Sequence, residues 1–461
     1  MKKKAELKLG EDFSAPTETF SFRVSNNTYA VKLSILGSAA DLDLFVYRAV
    51  KDSDYTNADY VSETDLYNDS IFITRQSDTP LESGIYYVTV AYQYDYLPQI
   101  AGKRADSIKY SILMNEISAK PSVNLKPDMV QEMKLEPSKG MFVTAEVNIP
   151  RGTDSFRVDV FNTNADIDIF ASLKSPAKSK KEAIYTADSL LRSESLVAGG
   201  YNGNKLIPGK YYLSFVDQVA EDLEQPFSVV VTLNSSAPEA LLEIPQIPVT
   251  TDGFDTAILS TVEVISDNAK GSGCFVNDEG YLITDWHVIA GQDGRPADDV
   301  YIAVPLTLNM PPSEIFHASV IEYDKDLDLA LLKIDKGRYG QDIPEGYWFP
   351  HFEIGDPSEL KMGQPVGILG YPEEGGTGSG VTISFTTGIV CGFEAGKGSD
   401  KIKTDALINN GNSGGAVMNA YYELLGFPGY TIDAGNGKMG YIYSVSNIPT
   451  EWLAKIEKTE E

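Results

Sequence analysis

Histidine, cysteine and tryptophan are scarce in this chain of 461 residues, which holds three, two and three of them. Two cysteines are too few for a disulfide framework. Cys274 and Cys391 both stand in apolar, strand-like runs, so they read as buried free thiols and leave the redox compartment undecided. Basic residues are outnumbered, 38 Lys and Arg against 66 Asp and Glu, for a formal net charge of -28. Such a surface repels a phosphate backbone, which excludes nucleic acid as a partner, and it disfavours anionic membranes. No apolar run of about eighteen residues occurs, so no helical membrane span is expected. Met1 to Lys4 carry the charge of a signal-peptide start, yet Ala5 to Thr17 are polar and form no apolar h-region. The expected location is cytoplasmic, or extracytoplasmic (periplasmic or secreted) if a signal peptide has been removed.

Long helical periodicities are missing as well, whereas Gly, Pro, Tyr and Phe are plentiful, which points to a mostly β chain. Its length exceeds one core and suggests about three domains. The first half repeats itself. Ala40-Asp41-Leu42-Asp43-Leu44-Phe45 returns as Ala165-Asp166-Ile167-Asp168-Ile169-Phe170, and Gly84-Ile85-Tyr86-Tyr87-Val88 returns as Gly209-Lys210-Tyr211-Tyr212-Leu213 in the same register. Every second residue is apolar at Val31, Leu33, Ile35 and at Phe156, Val158, Val160, as half-buried strands require. Each copy is expected to form a small antiparallel β-sandwich, residues 1–118 and 119–236. The proline-bearing stretches Ala119 to Gly140 and Asn234 to Phe254 read as linkers, the second placed at 237–254, with a third domain over 255–461. These strings resemble the bacterial pre-peptidase C-terminal (PPC) domain, a β-sandwich that accompanies secreted peptidases and in most relatives follows the peptidase rather than preceding it.

The aspartate pairs Asp41 with Asp43 and Asp166 with Asp168 put two carboxylates on one strand face. They are weak candidates for a structural calcium site, or they cap the strand and accept loop amide hydrogens. Tyr86, Tyr87, Tyr211 and Tyr212 form a platform for glycans or peptides, or half of them fill the core while half decorate the sheet.

The third domain carries the chemistry. Gly411-Asn412-Ser413-Gly414-Gly415 crowds glycines around one serine. Thr284-Asp285-Trp286-His287 lies upstream, and Asp326-Leu327-Asp328-Leu329-Ala330-Leu331-Leu332 lies between them. A base, a carboxylate and a hydroxyl thus follow in the order His, Asp, Ser. With Gly271-Ser272-Gly273, Thr387-Gly388-Ile389-Val390 and Thr404 to Asn409, these motifs resemble a trypsin-fold serine endopeptidase of the HtrA/Deg type, which implies a double β-barrel. The resemblance implies His287 as general base, Asp328 as its orienting carboxylate and Ser413 as nucleophile. Asp326 competes with Asp328, because strand alternation puts both on one face, and the Asp-Leu-Ala-Leu-Leu motif favours Asp328. The backbone N–H groups of Gly411 and Ser413 are the expected oxyanion hole. Leu407, six residues before the serine, is the expected floor of the specificity pocket. Gly440-Tyr441-Ile442 resembles the strand that forms the other wall of that pocket in the trypsin fold, which implies a pocket suited to small or medium apolar side chains.

Asn412 stands where digestive relatives carry an aspartate that pairs with a freed N-terminal amine. Activation by loop ordering is expected instead, with Gly375 to Gly380 as one such loop. No PDZ domain is expected after Ile448-Pro449, where a short helix starts at Thr450. Trp286 and Pro428 also depart from the HtrA/Deg pattern, and Pro428 removes a ladder donor near the strand that should pair with substrate. His317 and His351 fall outside the motifs and read as surface or packing residues. The expected function is hydrolysis of peptide bonds in unfolded or extended protein, through an acyl-enzyme and with no metal or organic cofactor. The alternatives are a binding or adhesion protein with a latent or inactive peptidase domain, and an esterase. The sequence leaves the oligomeric state open.

Overall fold

A computed structural model of the chain describes all residues except 1, 9–16, 39, 49–57, 64–68, 76, 78, 93–98, 101–102, 105–106, 200–205, 218–222, 235–236, 239–240, 373–380, 396–399, 434–437 and 458–461. Strands dominate it and helices are short. In the first sandwich, one sheet runs in the spatial order Lys2–Lys8, Ser107–Ser118, Thr28–Leu36, Ser70–Thr74. The facing sheet runs Thr17–Val24, Gly84–Ala91, Asp43–Arg48, Tyr60–Ser62. The alternating apolar residues meet between the sheets, where Val31, Leu33 and Ile35 face Leu42, Leu44, Val46 and Val88.

The second sandwich repeats this order. One sheet is Gln131–Leu135, Gln225–Leu233, Ser155–Phe161, Ser195–Gly199, and the other is Phe142–Ile149, Gly209–Asp217, Ile167–Ser172, Tyr185–Ala187. It adds Val123–Leu125 in parallel to Phe142–Ile149. The stretch Ala119 to Gly140 is therefore not a linker, because it supplies two strands of this sandwich. Its prolines misdirect the sequence reading: Pro121, Pro127 and Pro137 all stand outside the strands, Pro137 opening a short 3-10 turn. The tyrosine pairs divide as alternation requires, with Tyr86 and Tyr211 in the cores and Tyr87 and Tyr212 half-buried. The two sandwiches touch through Tyr29, whose ring stacks on Phe142 at 3.8 Å, in a cluster with Ala119, Phe170 and Val216.

The third domain is two closed six-stranded barrels. The first contains Thr261–Ser266, Lys270–Phe275, Tyr281–Thr284, Leu329–Gly337, Ser313–Asp324 and Val300–Val304 in that spatial order. The second contains Pro365–Gly370, Ser384–Ala395, Asp400–Thr404, Lys438–Ser444, Leu424–Asp433 and Ala416–Met418. The helix Gly253–Ser260 leads in, with the Asp252 side chain accepting from the amides of Phe254 and Asp255. The helix Thr450–Ile456 closes the chain over the seam between the barrels through Trp452 and Ile456. The stretch before Gly253 is extended but fastened. Ile247 is wholly buried in the first barrel's core, its N–H donates to the Tyr347 hydroxyl at 3.1 Å, and that hydroxyl donates to Pro245 O at 2.8 Å. Full burial of such a side chain contributes roughly 1.5–3 kcal/mol, so this connector holds the barrel rather than swinging free. No helix among the described residues is long and apolar enough to cross a membrane.

Candidate active site

His287 lies on the single-turn helix Trp286–Ile289, which directly follows the barrel strand Tyr281–Thr284. Its partner comes from the turn that joins Ser313–Asp324 to Leu329–Gly337. Asp324 Oδ1 accepts from the amides of Asp326 and Leu327 at 2.9 and 3.0 Å. The turn then drives Asp328 to φ 55°, a left-handed conformation sparse for a residue with a Cβ. In that position Asp328 receives the His287 amide on Oδ1 at 3.0 Å and faces Nδ1 with Oδ2 at 2.8 Å, while its carbonyl accepts from Trp286 N at 3.1 Å. A carboxylate on Nδ1 selects the Nδ1–H tautomer and leaves Nε2 free to accept a proton. Asp326 is exposed and makes no such contact. Both aspartates stand in the turn and not in a strand, so the alternation that put them on one face does not apply.

Ser413 reaches the same seam from the second barrel, and Ser272 ties its loop down. Ser272 N donates to Ser413 O at 2.8 Å, Ser272 Oγ donates to Gly411 O at 2.7 Å and receives Tyr371 N at 2.8 Å, and Ser272 O accepts from Thr284 Oγ1 at 2.7 Å. One buried residue thus links the serine loop to the strand that leads into the His287 helix. The sequence offered Gly271-Ser272-Gly273 only as a motif, and nothing in its composition reveals this bracket. The glycines are required by closeness: a Cβ on Gly414, at φ 77°, would lie 2.3 Å from Ser272 O, and one on Gly271 would lie 2.6 Å from Val288. Gly411 has φ 90°, which L residues avoid. Within this loop Asn412 N donates to Asn409 O and Gly415 N to Asn412 O. Asn412 itself is buried beneath it.

A residue the sequence reading passed over completes the cluster. Asp285, fully buried, brings a carboxylate within 4.8 Å of the donor atoms of His287 and Asp328. Burial, and then the charge of Asp328, push its carboxyl well above the usual range, against a smaller opposing effect of the Gly414 amide. Asp285 lies deep beneath the pair, whereas Asp328 is half-buried and receives two N–H donors from His287. The available signal was an acid immediately after the apolar strand Tyr281–Thr284. Burial, with help from Asp285, also pushes the Cys274 thiol up, and burial with Asp328 and Asp285 pushes the Tyr443 phenol to about 12.

Leu407 is 48% exposed, while Ile442 is buried in the second barrel's core and a Cβ on Gly440 would point at Ile408 and Thr404. Of the three, Leu407 alone presents surface, and Gly440 and Ile442 are buried. The strand Ser384–Ala395 braces this loop: Thr386 Oγ1 donates to Leu407 O at 2.9 Å, and Ile389 N donates to Asp405 Oδ1 at 2.7 Å. The Gly375 to Gly380 loop lies outside the described residues. Pro428 pairs with Ile442, and the ladder slips between Pro428 and Tyr430.

The remaining candidates lie elsewhere. His317 faces Asp335 at 2.9 Å and Tyr301 edge-on, and His351 sits 3.1 Å from Phe349 O. Cys391 is half-buried rather than buried, because its strand turns that face outward, and both cysteines are free. Burial, then Asp41, Asp69 and Glu63, push Asp43 up to about 7. Burial pushes Asp166 up to about 6 against the pull of Lys270, 3.6 Å away on the first barrel, and Asp168 is buried. Among the described residues the one set of three metal-capable groups with donor atoms this close is Asp285, His287 and Asp328.

Residues 271–427, which include Asp285, His287, Asp328 and Ser413, match the family described as trypsin-like peptidase domain. Protease Do-like 1, chloroplastic, of Arabidopsis thaliana is 27% identical over 221 residues, covering 46% of this chain and 44% of that protein. A probable periplasmic serine endoprotease, DegP-like, of Hahella chejuensis is 31% identical over 181 residues, 38% of this chain and 33% of that protein. Among solved structures, the HtrA-type protease AlgW with tripeptide is 25% identical with a TM-score of 0.36, covering 46% of this chain and 64% of that one. The chain spans less than half the length of these two curated relatives. Its second half carries a trypsin-like peptidase domain, and the curated relatives that match there are named as a Do-like protease and a DegP-like serine endoprotease.

Proposed function

We propose that the chain is a serine endopeptidase that cleaves unfolded or extended protein segments after small or medium apolar residues. The observation that carries this reading is the double hold of Asp328 on His287, through the ring and the backbone at once. His287 Nε2 takes the Ser413 hydroxyl proton as Oγ attacks the scissile carbonyl, and Asp328 stabilises the imidazolium that forms. The amides of Gly411 and Ser413 receive the developing oxyanion. The imidazolium then protonates the leaving amine, and water, deprotonated by the same imidazole, releases the acyl group. Acyl transfer through these groups calls for no metal or organic cofactor.

An apolar Leu407 at the pocket floor offers nothing to pair with Lys or Arg, which supports cleavage after Val, Ala or Ile. The two sandwiches, in their likeness to PPC domains, and relatives described as periplasmic support an extracytoplasmic site of action. Labelling with a fluorophosphonate probe tests the reading: wild type should label, and Ser413→Ala and His287→Ala should not. A folded wild type that stays unlabelled favours a binding protein with a latent peptidase domain. Turnover of small esters with none of casein favours an esterase. A peptide-library profile dominated by Lys or Arg overturns the pocket assignment.

A further inference from the structure

The second sandwich reaches into the peptidase. Arg192, on the loop between Tyr185–Ala187 and Ser195–Gly199, is only 2% exposed. Its Nη2 donates to Glu263 Oε2 at 2.6 Å and to Pro312 O at 3.0 Å. The amides of Arg192 and Ser193 donate to the two carboxylate oxygens of Glu314 at 2.7 and 2.9 Å, and Arg338 Nη1 adds a bond of 2.6 Å to Glu314 Oε2. Glu263 and Glu314 are buried wall residues of the first barrel. Burial pushes the Glu314 carboxyl up, but Arg192 and Arg338 outweigh it and hold it below the usual range. Leu191 packs beside them on Ile265 and Ala303. A passive tether has no use for an arginine placed on buried acids of its cargo, since leaving such a charge unpaired is strongly destabilising.

From this ion pair the path to the catalytic loop is short. Tyr371 is buried, and its hydroxyl donates at 3.3 Å to Thr261 O, on the same strand, Thr261–Ser266, that carries Glu263. Its own amide donates to Ser272 Oγ, which holds Gly411 O, while Ser272 N holds Ser413 O.

We propose that Arg192 is a positioning residue for the oxyanion loop, lent to the peptidase by the second sandwich and acting through Tyr371 and Ser272. The site is complete only with that sandwich docked. This deepens the endopeptidase reading and rests on it.

The test uses the full chain with Arg192→Met, Arg192→Lys and the paired Arg192→Met/Glu263→Gln. In Arg192→Met, kcat on a fluorogenic apolar peptide should fall about tenfold to a hundredfold, the scale set by small misplacements of catalytic groups, with KM nearly unchanged and Tm lowered. Arg192→Lys should recover part of kcat. The paired variant, which leaves no buried charge unmatched at Glu263, should regain Tm but not kcat. Wild-type kcat in folded Arg192→Met, or full recovery of both quantities in the paired variant, overturns the proposal. If Arg192→Met does not fold, the other two variants decide. Hydrogen exchange reads the same coupling without turnover: amides of residues 409–415 should exchange faster in the paired variant than in wild type. Unchanged exchange refutes the positioning role, whereas a wild type that never labels with fluorophosphonate refutes the endopeptidase reading alone.

Discussion

Asp328 and Asp285 differ in what surrounds them, although both bring a carboxylate oxygen within 4.8 Å of a His287 ring nitrogen. Asp328 is half-buried and bonded twice to His287, through the ring and the backbone amide. Asp328→Asn should keep the contact but favour the wrong imidazole tautomer, lowering kcat by about ten-thousand-fold, while Asp326→Asn leaves kcat within about twofold, as surface changes usually do. Comparable losses in both variants would unseat Asp328. For Asp285 the folded state holds the proton more tightly than the unfolded chain does. The cost therefore is absent in acid, where both states are protonated, and grows as pH rises through the unfolded pKa near 4. Asp285→Asn should raise Tm at pH 8, by about 2–4 °C for each kcal/mol recovered, and change nothing near pH 3. Equal melting curves at pH 8 would show that Asp285 carries no such cost. Asp328 was legible from its motif, though the turn that places it was not, since φ 55° depends on Asp324 capping the amides of Asp326 and Leu327. Asp285 left only a faint signal, an acid after an apolar strand, because the Gly414 loop that packs on it lies far away in sequence.

At the scale of the element, repetition and alternation were the readable signals. Val31, Leu33 and Ile35 could face a core only if their sheet was covered, and the second copy repeats the solution at Phe156, Val158 and Val160. Gln131–Leu135 was hidden by its proline-rich flanks, although Met133 and Leu135 alternate inward as the other strands do. The strand Ser384–Ala395 shows what pattern alone does not reveal. Its Thr387-Gly388-Ile389-Val390 motif is a brace for the loop that carries Leu407, and a Cβ on Gly388 would lie 2.3 Å from Ala406 N. Thr386→Val removes the bond to Leu407 O and little else. It should lower kcat/KM for apolar peptides by about threefold to tenfold, in line with one neutral hydrogen bond of about 1 kcal/mol, with Tm almost unchanged. An unaffected kcat/KM would show that this bond to Leu407 O does not bear on turnover.

At the scale of the whole molecule, two interfaces of different chemistry join three bodies in series. The first sandwich meets the second through stacked rings and aliphatics at Tyr29, Phe142, Phe170 and Val216. The second meets the peptidase through buried ions at Arg192, Glu263, Glu314 and Arg338. An apolar contact is non-directional and tolerates small shifts, whereas a buried ion pair demands one geometry, so the two joints transmit differently. Tyr29→Ala removes the stack and should uncouple the first sandwich. Calorimetry then resolves an early transition that is absent in wild type, and limited proteolysis releases a fragment ending near residue 118. Fluorophosphonate labelling of Ser413 should remain at the wild-type rate, because no part of the path from Arg192 to Gly411 runs through Tyr29. Loss of labelling together with the early transition would mean that the apolar joint also sets the geometry of the serine loop, and that all three bodies act as one.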